Sequence, residues 1–216
     1  MKTIPYLLIV IGLSFTTSVS AQKETKAKEL LDKTSAMLSK SGGMSASCSI
    51  SMNDETNNKQ SFEGLFFLNG AKFFLDIPDQ TVYFDGKTQW VYNKAYNEVS
   101  ISEPAQQELQ TLNPILAFDI YKTDCDYKYI GEKTDIQKRK VHEISLFPKG
   151  KNEDIKQIVL QINPSDSMPV FFNIIFKNNM EFRIYIDKYQ TKLTISDSQF
   201  VFDKSKYPNV FVNDLR

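Results

Sequence analysis

The chain has 216 residues, 26 basic and 26 acidic side chains, one His, two Cys and 41% hydrophobic residues. With charges of both signs scattered and balanced, no basic groove or patch is available for nucleic acid or an anionic membrane surface. Two cysteines and one histidine far apart in sequence match no zinc spacing, so no metal is expected.

The chain begins with "MKTIPYLLIVIGLSFTTSVSAQ", in which one Lys precedes an apolar run and small residues Val19 and Ala21 precede Gln22. That is the layout of a cleavable secretory leader over residues 1–21, too short and wrongly flanked for a spanning helix. No cysteine follows the run, so no lipid anchor is expected, and the mature protein, residues 22–216, is expected as one exported domain in a bacterial periplasm. An oxidising compartment permits a bridge between Cys48 and Cys125, while two small buried hydrophobes fit equally well.

In "KETKAKELLDKTSAMLSK", Lys23 to Lys40, Ala27, Leu30, Leu31, Thr34, Met37 and Leu38 recur at helical spacing, and Gly42-Gly43 stops the helix. The period then changes to two. "MSASCSISMN", "QSFEGLFFLN" and "AKFFLDIP" read as strands, with a hairpin at Asn69-Gly70. "QTVYF" and "TQWVYN" flank a tight turn at Asp85-Gly86-Lys87, and a turn near Asn93-Lys94-Ala95 leads to "YNEVSIS", completing a meander. From Glu103 to Phe118, Leu109, Leu112 and Leu116 share a face of a short helix that Pro114 breaks or kinks.

The remainder reads as strands: "CDYKYIGE", "KVHEISLFP", "DIKQIVLQIN", "PVFFNIIFK", "EFRIYIDKY" and "TKLTISDSQFVF". Ile158, Leu160 and Ile162 oppose Gln157, Val159 and Gln161, and Met180, Phe182, Ile184 and Ile186 oppose Glu181, Arg183, Tyr185 and Asp187. Such alternation belongs to a sheet buried on one face. About ten or eleven strands and two or three short helices fit a sandwich, a closed barrel, or a curved open sheet covered by helices, the last being favoured.

Nothing convergent suggests catalysis. His142 reads as an ordinary strand residue, the carboxylate pairs Asp124/Asp126 and Asp197/Asp203 as turn residues, and no nucleophile-elbow, metalloprotease or phosphate-loop pattern occurs. The positive signal is sixteen Phe, ten Tyr and one Trp concentrated in strands. They can fill a core, or line a concave face that short helices leave partly uncovered, giving a cavity for an acyl chain.

The leader, "KAKELLDKTSAMLSK", "FEGLFFLNGAKFFLDI", "FDGKTQWVYNKAYNEVSI", "NPILAF" and the close "SDSQFVFDKSKYPNVFV" together resemble the LolA family of periplasmic lipoprotein carriers, with Asp85, Gly86, Lys87, Thr88, Trp90 and Tyr92 the most specific piece. The resemblance implies a mainly β, α+β fold: an incomplete antiparallel β-barrel, or curved open sheet, closed by a short α-helical lid. It implies a monomeric, non-enzymatic carrier without cofactor that takes lipoprotein acyl chains from the inner to the outer membrane. Its partners would be those lipid chains, an inner-membrane ATP-driven release complex and, in some bacteria, an outer-membrane receptor. The cavity would be lined by Phe66, Phe74, Trp90, Ile115, Leu116, Phe118, Phe172, Ile174 and Phe182. Where many relatives carry an Arg-Pro pair, this chain has Asn69, Gly70 and Ala71 with Lys72 nearby, so an arginine latch on the lid is not implied. The alternatives are a carrier of another lipid and an envelope-stress sensor or adaptor that binds a protein partner.

Overall fold

The computed structural model describes residues 16–54, 56, 58–105, 121–122, 125–149 and 154–216, with side chains from residue 22 onward. Helix α1 spans Thr16–Lys40 and is followed by β1 (Gly43–Asn53), β2 (Lys59–Asn69), β3 (Lys72–Asp76), β4 (Gln80–Phe84), β5 (Gln89–Asn93) and β6 (Glu98–Ser102). Strands β7 (Cys125–Thr134), β8 (Lys140–Pro148), β9 (Ile155–Ile162), β10 (Pro169–Phe176), β11 (Glu181–Leu193) and β12 (Phe211–Asp214) complete one sheet.

The sheet order is β12-β6-β5-β4-β3-β2-β1-β11-β10-β9-β8-β7. Two antiparallel meanders, β1 to β6 and β7 to β11, are therefore joined side by side through β1 and β11, whose register runs from Gly43↔Leu193 to Asn53↔Glu181. The edges β12 and β7 do not meet, so the barrel stays open. Each edge is blunted against pairing with other chains: β12 is four residues long, and β7 is bulged between Tyr129 and Gly131, where Gly131 has φ +143°.

Helix α1 begins upstream of the expected cleavage point after Ala21, in a stretch with no Pro or Gly to stop it. It buries Ala27, Leu30, Leu31, Thr34 and Leu38 and packs against β7, while Lys28–Asp32 and Lys33–Glu29 pair along its outer face. Its end is fixed by Ser41, whose hydroxyl donates to the Leu38 carbonyl, and by Gly42 at φ +64°. Tyr121 donates to the Asp32 carboxylate at 2.9 Å, tying residue 121 to the helix.

Strand-by-strand alternation separates two apolar clusters. On the concave face, Leu31, Met44, Phe66, Phe73, Phe84, Ile144, Leu160 and Phe172 belong to one core. On the other face, Tyr83, Tyr92, Val99, Phe202 and Val210 form a second cluster with Phe74, Trp90, Tyr207 and Val212 around them. The second exists because β3 to β6 carry large side chains on both faces, and the chain after Leu193 returns to cover the outer one. Phe202 stacks on Tyr207 at 4.7 Å and meets Tyr83 edge-on at 5.7 Å, and the Tyr83 and Tyr207 hydroxyls share a hydrogen bond of 2.9 Å.

Two strand expectations are revised here. "TKLTISDSQFVF" is not one strand: β11 runs unbroken to Leu193, and Asp197–Phe200 is a 3-10 turn whose N-cap Ser196 hydroxyl accepts from Ser198 N. β12, absent from the sequence reading, adds parallel to β6, with Phe211 opposite Glu98.

The β7–β8 turn shows how one polar side chain organises a reversal. The Asp135 carboxylate, 2% exposed, accepts from Gln137 N at 2.9 Å, Arg139 N at 2.7 Å and Arg139 Nε at 2.6 Å. Asp135→Ala strands these donors, and hydrogen bonds to a charged group contribute about 1.5–3 kcal/mol. The expected result is a loss of about 2 kcal/mol of unfolding free energy in a urea titration, with the slope unchanged; a change below about 0.5 kcal/mol would contradict it.

Candidate binding cavity

Between β2 and β3 on one side and β10 and β11 on the other, the concave face holds a cavity of about 440 Å³, beyond the area that α1 covers. Its floor is β1, where strict alternation in "MSASCSIS" sends Met44, Ala46, Cys48 and Ile50 inward and the serines outward. Phe62, Phe66, Leu75 and Ile77 form one wall; Pro169, Phe172, Ile174, Phe176, Met180, Phe182, Ile184, Ile186 and Tyr189 form the other.

Two local features shape it. A β-carbon on Gly64 would lie 2.9 Å from Cys48 Sγ and 3.0 Å from Ile50 Cδ1, so glycine is what lets these floor residues pack against β2. The register shift between Ser47 and Cys48, paired with Lys188 and Ile186, leaves Asp187 as the extra residue of a bulge. Ile186 and Tyr189 thus both face inward although their spacing is odd.

Among the described residues of the lining, the only side-chain polar atoms beyond thioether sulfur belong to Cys48 and Tyr189. Cys48 Sγ donates to Gly64 O at 3.4 Å, and the Tyr189 hydroxyl donates to Pro169 O at 2.6 Å. None of these lining side chains is charged, and their hydroxyl and thiol hydrogens are already used, so they offer a guest contact with carbon and sulfur alone.

Burial is the main reason the Cys48 thiol is pushed up to about 11, with the carboxylates of Asp187 and Glu63 acting in the same direction. Because the folded pKa lies above the ordinary value of 9.0, the neutral thiol's contribution to stability is complete below pH 9 and is lost as pH rises towards 11. At pH 8 the thiolate is about 100-fold scarcer than in the unfolded chain. Iodoacetamide labelling of the Cys48 peptide at pH 8 should therefore be at least about 100-fold slower in the folded protein than in urea; equal rates would contradict this burial. Cys48 and Cys125 are not joined: the Cys125 thiol turns to the Asp126 carbonyl at 3.1 Å.

Of the residues proposed from sequence, Phe66, Phe172, Ile174 and Phe182 stand together on the lining. Phe74 and Trp90 face the other side of the sheet: Phe66 pairs with Leu75, so Phe74 pairs with Phe67, meets Tyr83 at 5.1 Å and shares the second cluster with Trp90. Ile115, Leu116 and Phe118 lie outside the described residues, as does the stretch expected to form the lid. The β1 floor was missed because its residues are small, although its period of two was plain in the sequence.

Asp124 lies outside the described residues, and the other polar groups considered for chemistry are engaged elsewhere. His142 Nδ1 is 3.0 Å from the Tyr129 hydroxyl, Asp126 pairs with Lys149, Asp203 holds Ser205, and Asp197 meets Lys72 Nζ at 2.6 Å. Lys72, nearest the place of the family arginine, thus ties β3 to the C-terminal segment. Among the described residues, no three His, Cys, Asp or Glu side chains converge on a metal position.

Among the described residues these features define an open half-barrel with one helix across part of its concave face and an apolar cavity beside it. A family model described as "Outer membrane lipoprotein carrier protein LolA" matches residues 17–174, well over half of the chain, and the protein belongs to that family. An uncharacterized conserved protein from Thermus thermophilus has the same fold at 13% identity, with a TM-score of 0.59 over 88% of this chain and 99% of that one. More remote are a LolA superfamily protein from Nitrosomonas europaea (11% identity, TM-score 0.45, 82% of this chain and 97% of that one) and the MucA/MucB complex of Pseudomonas aeruginosa (11% identity, TM-score 0.42, 82% and 61%). Comparison with curated protein sequences returns no match.

Proposed function

We propose that the protein is a non-enzymatic carrier of the bacterial envelope that shields the acyl chains of lipoproteins in the concave cavity between the inner and outer membranes. The observation that carries this reading is a cavity bounded by apolar side chains, with its thiol and hydroxyl hydrogens spent internally, in a member of the lipoprotein carrier family. Moving a methylene from water into such a site is worth about 0.8 kcal/mol, so roughly ten methylenes supply enough for micromolar binding. Among the described residues the walls supply no hydrogen bond or charge to be broken on release, so an acceptor membrane or protein need only offer equal apolar cover. The leader over residues 1–21 would be removed in the periplasm, and the inner-membrane release complex and an outer-membrane receptor would be donor and acceptor. Mass spectrometry of the native protein, purified without detergent, tests the reading. A bound acyl-bearing species lost on organic extraction is expected; a single unliganded mass before and after extraction would count against it.

A further inference from the structure

The expectation of no basic patch, drawn from the balanced total charge, is revised at one turn. Where β7 reverses into β8, residues 133–140 hold Lys133, Lys138, Arg139 and Lys140 against the single carboxylate of Asp135. Ile136 stands at the apex and is 70% exposed. We infer that the β7–β8 turn is a membrane-touching tip, which sets Ile136 among the head groups of an anionic lipid surface with the lysines on the phosphates around it.

The turn holds this shape by its own bonds. Asp135 N donates to Arg139 O and Lys138 N to Asp135 O, each at 3.0 Å, while the buried Asp135 carboxylate takes the Arg139 side chain, so the apex is rigid and Ile136 stays outside. On the ladder Lys133 pairs with Val141 and Lys140 with Thr134, which puts the two lysines on opposite faces of the ribbon. Lys133, Lys138 and Lys140 are exposed, and none of them makes an ion pair among the described residues. Other carboxylates on the two strands are spent or set back: Glu143 accepts from Gln161 at 2.9 Å, and Glu132 stands further down the ladder, opposite His142. Tyr96, 77% exposed on the β5–β6 turn, has no such company, since Lys94 there is paired with Asp76.

The magnitudes favour a lipid surface. A lysine beside anionic head groups is worth about fivefold in affinity, and an isoleucine taken out of water about tenfold. Three lysines and one isoleucine together give about a thousandfold, less than the marginal and reversible hold of a single myristoyl chain. Such a contact touches down without anchoring, which suits the carrier reading without depending on it. A specific protein interface takes about 20–30 residues a side, more than residues 133–140 offer, whereas head groups are met one side chain at a time. β7 is also an edge of the open sheet, so a contact at its end brings the unclosed side of the half-barrel beside the bilayer.

The experiment is sedimentation of the native protein, purified without detergent, with vesicles of phosphatidylcholine alone or mixed equally with phosphatidylglycerol. The parent should bind the anionic vesicles at about 0.1 M salt and leave them at about 1 M, where the screening length falls to about 3 Å. Phosphatidylcholine alone should bind at least about tenfold more weakly. Ile136→Ser should lower the affinity for anionic vesicles about tenfold, and Lys133→Gln, Lys138→Gln and Lys140→Gln together about 100-fold. Both variants should keep the parent's thermal melt and its binding of palmitate, and Tyr96→Ser should bind vesicles as the parent does. A parent that ignores anionic vesicles, or variants that bind them like the parent, would overturn the inference and leave the carrier reading intact. Equal binding to neutral and anionic vesicles, indifferent to salt, would overturn it in favour of lipid entering the cavity directly. Binding to polyglutamate without binding to anionic vesicles would overturn it in favour of an acidic protein partner.

Discussion

Ile184→Glu should weaken binding of a palmitoyl probe by at least about 100-fold at pH 7.5, with the sheet still folded. Ile184 sits on β11 opposite Ile50 and Phe172, in the middle of the cavity wall, and is only partly buried. In the empty protein the new carboxylate can therefore keep part of its hydration. A bound acyl chain removes that water and supplies no hydrogen bond, and an ionised group left unpaired in hydrocarbon costs several kcal/mol. A loss of about 2.7 kcal/mol is already 100-fold. The sign with pH is fixed as well: the bound state favours the neutral carboxyl, so binding by the variant should recover as pH falls through the carboxylate range. Ile184→Gln separates polarity from charge, since its binding should not recover with acid. A normal affinity for Ile184→Glu at pH 7.5 would show that the chain does not lie along β11.

Phe73→Ala should be the most destabilising single truncation in the sheet. Phe73 is 0% exposed, with ring centroids 6.2 Å from Phe66 and 5.3 Å from Phe84, so three adjacent strands are keyed by one side chain. Truncating a buried Phe removes its transfer free energy and leaves a void, about 3–5 kcal/mol together. For a domain of this size each kcal/mol moves Tm by about 2–4 °C, so a fall of about 10 °C is expected in a thermal melt. Tyr96→Ala, at a tip 77% exposed, should stay within about 0.5 kcal/mol of the parent and serves as the control. Comparable losses for the two would place Phe73 outside the core.

Much of this fold was legible because alternation is a local signal. The inward face of α1 apart from Met37, which the structure leaves 42% exposed, the β4–β5 turn where Gly86 takes φ +103°, and the opposed faces of β9 and β11 all follow from residues within a few positions of one another. What alternation cannot give is which face curves inward. Phe73 and Phe74 are equally large, and only the pairing of Phe66 with Leu75 sends one to the concave core and the other towards Tyr83. Trp90 follows the same rule through its pairing with Tyr83. The bulge at Asp187 shifts the phase within β11, so counting by twos misplaces Tyr189. β12 escaped notice because a four-residue parallel strand depends on β6, far earlier in the chain.

Photolabelling with a diazirine-bearing palmitate, followed by peptide mass spectrometry, tests most directly whether the concave cavity is where the acyl chain sits. The account predicts saturable label on β1, β10 and β11 around Cys48, Phe172 and Ile184, competed by unmodified palmitate and lost in Ile184→Glu. Label concentrated on the outer cluster of Trp90, Tyr83 and Tyr207, or spread over the surface without saturation, would contradict it.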